Sequence, residues 1–201
     1  MQRTVKYFPL IAGGIFLLTA ALIIGNAFLS GTGSVGFRIM LSEYIGRSSI
    51  ISVLYAAVTA VMTVLLGISL RKKEMNSIRR FLYALMLLFF LITGFCPLSS
   101  GGTGPHTVFS TTGWIHVLAE IIFLGLAAVN SLLAVFFAKT KVQRIVGLLP
   151  VIYLVIILIA PEIFKENVGI WEIIFTMQPI LNLQAEQYSE PADKKQPADA
   201  S

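Results

Sequence analysis

Two ionisable side chains stand four residues apart inside one of the most apolar stretches of the chain. The segment G-W-I-H-V-L-A-E-I-I-F, residues 113–123, carries His116 and Glu120. On a helix the i,i+4 spacing places both on one face. A histidine beside a carboxylate can contact a ligand or act as a protonation switch, because imidazole changes charge near neutral pH. The same pair is also half of a histidine/carboxylate metal site, which His106 and Glu172 could complete. No H-E-x-x-H motif or cysteine pair accompanies it, so the metal reading rests on His116 and Glu120 alone.

The remaining candidates are spread along the chain. Glu172 lies in V-G-I-W-E, early in the last apolar segment. The stretch G-F-R-I-M-L-S-E-Y-I-G-R-S holds Arg38, Ser42 and Arg47, with Phe37, Met40, Leu41, Tyr44 and Ile45 at roughly helical spacing. That pattern suits a short interfacial helix whose arginines sit at headgroup level and pair with lipid phosphates. His106 lies in C-P-L-S-S-G-G-T-G-P-H-T-V-F-S-T-T-G-W, an uncharged loop rich in glycine and hydroxyls. The loop could present backbone N–H groups to an anion, or simply cover the bundle as a lid. Ser42, Ser99, Ser100 and Ser110 lack the G-x-S-x-G setting of a nucleophile elbow.

These residues must be positioned by membrane helices. Of 201 residues, 56% are hydrophobic and 12% charged, well away from the half-apolar, quarter-charged balance of soluble domains. The apolar residues form runs bounded by charges or by Gly/Pro/Ser clusters, at 8–29, 48–70, 80–97, 113–138, 144–161 and 168–183. The first run is too long for a signal-peptide core and no A-x-A site follows it, so it reads as a retained span. Pro150 predicts a kink in the fifth run. The sixth is short and contains Glu172, Gln178 and Asn182. It either spans with its polar face inward or lies in the interface, and spanning is the expectation. Residues 184–201 read as a disordered polar tail.

Lysine and arginine set the orientation. Ten lie at the N-terminus and in the second and fourth loops, against Arg38, Arg47 and Lys165 in the first, third and fifth. The basic second loop reads as the ordinary positive-inside signal. The expected fold class is therefore all-α: a polytopic membrane helical bundle of six transmembrane helices with both termini cytoplasmic. No basic face with base-reading chemistry is present, which excludes nucleic acid as a partner. The single cysteine, Cys96, permits no intrachain disulfide and reads as a small buried hydrophobe. No cofactor-binding pattern is found, and no nucleotide motif supplies energy for a pump.

In this topology His116 sits about one turn below the outer surface and Glu120 roughly 10 Å down. Glu172 enters from the same side. Charges in hydrocarbon face the bundle interior, a partner or water. Two arrangements fit. One is an outward-opening pocket with His116, Glu120 and Glu172 at its floor and Arg38, Arg47, Ser42 and His106 towards its rim. The other is a closed structural network in which His116 bonds Glu120.

Three stretches together carry a family resemblance: M-L-S-E-Y-I-G, then G-F-C-P with G-W-I-H across the third loop, then V-G-I-W-E. The chain resembles the domain-of-unknown-function 998 family (DUF998) of bacterial six-span membrane proteins over residues 8–183. The resemblance implies a multi-pass protein of the bacterial cytoplasmic membrane, and it puts Ser42, Glu43, Pro97, His116 and Glu172 on patterned positions. It brings no activity with it.

The expected function is a non-enzymatic membrane protein whose outward-facing polar pocket binds or helps move a small amphiphile, a lipid headgroup or an ion. A membrane-embedded, metal-dependent lipid hydrolase is one alternative, and a structural or regulatory subunit is another. Expected partners are membrane lipids, with other membrane proteins or further copies of the chain as additional ones.

Overall fold

The structure is a computed structural model that describes residues 5–29, 41–46, 48–73, 75–98, 100–101 and 108–186. Among the described residues the helices are, in chain order, α1 (Phe8–Leu29), α2 (Leu41–Gly46), α3 (Ser49–Arg71), α4 (Ser77–Phe95), α5 (Thr111–Phe136), α6 (Lys141–Ile159), α7 (Pro161–Glu166) and α8 (Val168–Ala185). Between α4 and α5, Ser100–Gly101 (β1) pairs antiparallel with Val108–Phe109 (β2). The described chain is otherwise a helical bundle, and α1, α3, α4, α5 and α6 are each long and apolar enough to cross a membrane.

Local chemistry decides where these helices start. The first N–H groups of a helix have no internal acceptor, and a side-chain oxygen just upstream supplies one. Ser48 accepts from the Ile51 amide, Asn76 from Ile78, Ser110 from Gly113 and Thr140 from Gln143. Thr140 and Gln143 form a reciprocal capping box. These caps begin α4, α5 and α6 two or three residues ahead of the apolar runs, since hydropathy does not register capping. Pro150 lies inside α6, which runs as one helix from Lys141 to Ile159.

Packing follows the sequence order and then closes on itself. Helix α1 lies against α3, α3 against α4, α4 against α5 and α5 against α6, while α8 packs against α1, α5 and α6 and touches α3. The α1 contribution to the core is Ala12, Phe16, Ala20 and Ile23, one stripe at helical spacing. Met62 and Leu66 of α3, Tyr83, Met86 and Phe90 of α4, Phe123 of α5 and Ile180 and Leu183 of α8 complete it. Glycines allow the closest approaches. A Cβ on Gly94 would stand 2.6 Å from the Thr59 side chain, and one on Gly147 would stand 2.8 Å from the Ser131 carbonyl oxygen. Small residues at such crossings bring helix backbones together.

The most buried helix is not the most apolar. Helix α6 buries only Gln143 and Gly147, whereas α8 buries Gly169, Trp171, Thr176 and most of 178–185. Helix α8 extends to Ala185, and Glu186 caps it, so the helix passes the expected boundary at 183. Residues 187–201, the rest of the expected tail, lie outside the described residues. Arg79 also differs from expectation. It is not a loop charge but a residue in the first turn of α4, 3% exposed.

Candidate functional site

The site starts from a proline. Pro97 has no N–H, so it cannot donate to the carbonyl four residues back, at Thr93. Helix α4 therefore ends with unfilled acceptors. The His116 ring supplies the missing donor: Nδ1 lies 3.0 Å from the Thr93 carbonyl oxygen and 2.6 Å from that of Cys96. Carbonyl oxygens only accept, so Nδ1 carries the hydrogen. The G-F-C-P and G-W-I-H stretches thus meet through one imidazole, which is 3% exposed. Cys96 contributes its backbone oxygen here, and its residue is half-buried rather than buried.

With Nδ1 committed, Nε2 faces Glu120, whose Oε2 is 3.7 Å away. That separation exceeds a direct hydrogen bond but suits a charge pair. A neutral ring turns a lone pair towards the carboxyl group. The favourable states of the pair therefore place one further proton on Nε2 or on Glu120.

His116, Glu120 and Glu172 all line one cavity of about 90 Å³. Aromatic side chains contribute to its walls: Tyr55 from α3, Phe90 from α4, Phe123 from α5, and Trp171 and Phe175 from α8. Phe90 and Phe123 pack with ring centres 5.4 Å apart. Trp171 and Phe175 are held against each other and against Tyr153 of α6 at about 6 Å. The cavity lies where α3, α4, α5 and α8 meet, near the Cys96 end of the bundle.

Glu172 also joins α8 to α2. Its carboxylate accepts from the Ser42 backbone N–H, at 3.1 Å to Oε1 and 3.4 Å to Oε2. Ser42 is 2% exposed, and its hydroxyl has no hydrogen-bond partner among the described residues. It meets Glu172 through its backbone and is not among the residues lining the cavity. Arg38, Arg47 and His106, the other expected rim residues, lie outside the described residues.

A second polar cluster occupies the opposite end. Arg79 Nη2 lies 2.5 Å from Glu186 Oε1, and Gln143 donates to Glu186 Oε2 at 2.9 Å. Asn130 accepts from Arg79 Nε and donates to the Arg79 carbonyl, both at 3.4 Å. Further along α8, Gln178 donates to the Val146 carbonyl at 2.8 Å and Asn182 to the Ser131 hydroxyl at 2.6 Å. Sequence reasoning put buried charge at one end only and missed this cluster. Its trace is nevertheless visible: Gln178, Asn182 and Glu186 recur every four residues, on one helical face.

Among the described residues, no group of three His, Cys, Asp or Glu side chains could hold a metal ion. His116 and Glu120 are thus without a third ligand from that set, and the Nδ1 of His116 is already engaged. No protein-family model, curated protein or solved structure matches the chain.

Proposed function

We propose that this chain is an integral membrane protein with six crossings, in which α8 is the sixth, and that its cavity receives a small solute or lipid headgroup from the outer face. The observation that carries the reading is the meeting of His116, Glu120 and Glu172 on one cavity, from two helices far apart in sequence. Burying three ionisable groups together in an apolar bundle is costly unless they serve one another or a ligand. Helix α8 supports the sixth crossing, because its ends bond to opposite ends of the bundle, at Ser42 and at Arg79. The excess of Lys and Arg beside the Arg79 end favours that end as cytoplasmic. The resemblance to the DUF998 family is compatible with this arrangement.

A second reading has its own observation. His116 is bonded to two carbonyls and Glu172 to a backbone amide, which are structural roles. In that reading the chain is a subunit whose polar groups only hold it together. Accessibility separates the two. Thr176 lines the cavity, so Thr176→Cys in a Cys96→Ser background reacts with a small hydrophilic thiol reagent applied from outside if the cavity is open. A folded protein that leaves this thiol unmodified would sink the pocket reading and favour the closed network.

A further inference from the structure

We infer that the outer halves of α6 and α8 form a hinged gate: residues 151–178 swing as one hairpin about Pro150 and Pro179 and carry one wall of the cavity with them. The gating role, though not the hinge, rests on the pocket reading above. Each proline lies inside its helix, and each helix runs on through it. Proline has no N–H, so it cannot serve the carbonyl four residues back. Pro150 thereby frees the Val146 carbonyl, and Pro179 frees that of Phe175. Gln178, the residue before Pro179, donates from Nε2 to the Val146 oxygen at 2.8 Å. The weakened turns of the two helices therefore meet through one hydrogen bond. Helices bend most readily where a proline interrupts the ladder.

Anchoring differs on the two sides of that level. On the inner side, α6 buries Gln143 and Gly147, Asn182 donates to the Ser131 hydroxyl, and Gln143 and Arg79 both hold Glu186. On the outer side, α6 buries nothing beyond Gly147. Its Tyr153 packs on Trp171 and Phe175, with ring centres 6.1 Å and 5.9 Å away. Those rings belong to the same hairpin, so the contact makes its two arms one body. The bracketed segment also contains every α8 residue that lines the cavity, Val168, Trp171, Glu172, Phe175 and Thr176. Near the tip, Glu172 accepts from the Ser42 backbone N–H of α2 at 3.1 Å, a latch between the hairpin and the rest of the bundle. A rigid body, two adjacent hinge points and a latch are the parts of a closing motion.

The test places spin labels on the purified full chain in nanodiscs, in a Cys96→Ser background. Ile159→Cys reports the hairpin, Ile50→Cys the start of α3 and Leu118→Cys the outer half of α5; these positions are 78%, 80% and 59% exposed. Pulsed EPR should find two distances between Ile159→Cys and Ile50→Cys, and one between Leu118→Cys and Ile50→Cys. Pro150→Ala combined with Pro179→Ala should remove the longer distance. Glu172→Ala, which cuts the latch, should enrich it. The rate at which Thr176→Cys reacts from outside follows the open population, so the paired proline substitutions should slow it about threefold to tenfold. If a labelled pair fails to fold, this rate carries the test. A single distance from Ile159→Cys, or two that survive the proline substitutions, would overturn the hinge and leave the pocket standing. A Thr176→Cys rate that those substitutions leave unaltered would overturn the gating role. Two distances with an unreactive thiol would keep the hinge and remove the pocket.

Discussion

His116 donates through Nδ1 to the Thr93 carbonyl oxygen at 3.0 Å, filling the acceptor that Pro97 leaves without its helical partner. One ring thereby fastens the end of α4 to the start of α5. His116→Ala should lower stability by about 1–3 kcal/mol, the cost of stranding buried acceptors. His116→Asn, whose amide nitrogen sits near the position of Nδ1, should recover part of that. Pro97→Ala restores an N–H that can serve Thr93, so it should offset His116→Ala more than it affects the wild type. Unfolding of all four members of the cycle in mixed micelles measures the coupling; additive effects would show that the two residues do not act through Thr93.

At the other end, Arg79 and Glu186 are both almost fully enclosed, with side chains 3% and 9% exposed. Removing one partner leaves the other charge buried without compensation, a loss of about 3–5 kcal/mol. Arg79→Met and Glu186→Leu should each be strongly destabilising, and the double variant far less so than their sum. The same unfolding assay measures it. Additive losses in the double variant would contradict the pairing.

The glycine crossings should rank by what an added methyl meets. At Gly13 the nearest atom is the Met177 terminal methyl at 3.1 Å, which can swing away, so Gly13→Ala should be nearly neutral. At Gly147 it is the Ser131 backbone oxygen at 2.8 Å, which cannot. Gly147→Ala should cost about 1–3 kcal/mol. Gly94→Ala should cost a similar amount, and Thr59→Gly should relieve it.

Orientation can be read from the single native cysteine. Cys96 is half-buried at the Cys96 end of α4. In intact cells a membrane-impermeant maleimide should label it, and a cytoplasm-active reporter fused after Ser201 should be active. Labelling only in inside-out vesicles would reverse the proposed orientation, and an inactive reporter would remove α8 as a crossing.

Much of this architecture was legible in the sequence because hydropathy reports contact with lipid. Helix α1 occupies Phe8–Leu29, the bounds of its apolar run. The i,i+4 spacing of His116 and Glu120 placed both on the cavity. Hydropathy says little about a helix that meets other helices instead of lipid. Helix α8 therefore looked marginal, although Gln178, Asn182 and Gln184 are polar because they are enclosed by neighbours. Arg79 was misread for a related reason. A basic residue in a basic stretch resembles an orientation signal until its partner, more than a hundred residues later, is known. The bond from His116 to Thr93 was also hidden, since neither G-F-C-P nor G-W-I-H states which acceptor the ring will find.

The polar, enclosed character of α8 bears on how the protein is made. Gln178, Asn182, Gln184 and Glu172 weigh against independent partitioning into lipid, since polar and charged side chains carry the largest insertion penalties. On the six-crossing arrangement, α8 enters the membrane by docking into a groove that α1, α5 and α6 have already formed. Until it arrives, Arg79 waits inside the assembled part without its carboxylate. A chain truncated before Val168 lacks Glu186 and should therefore leave Arg79 buried without its carboxylate.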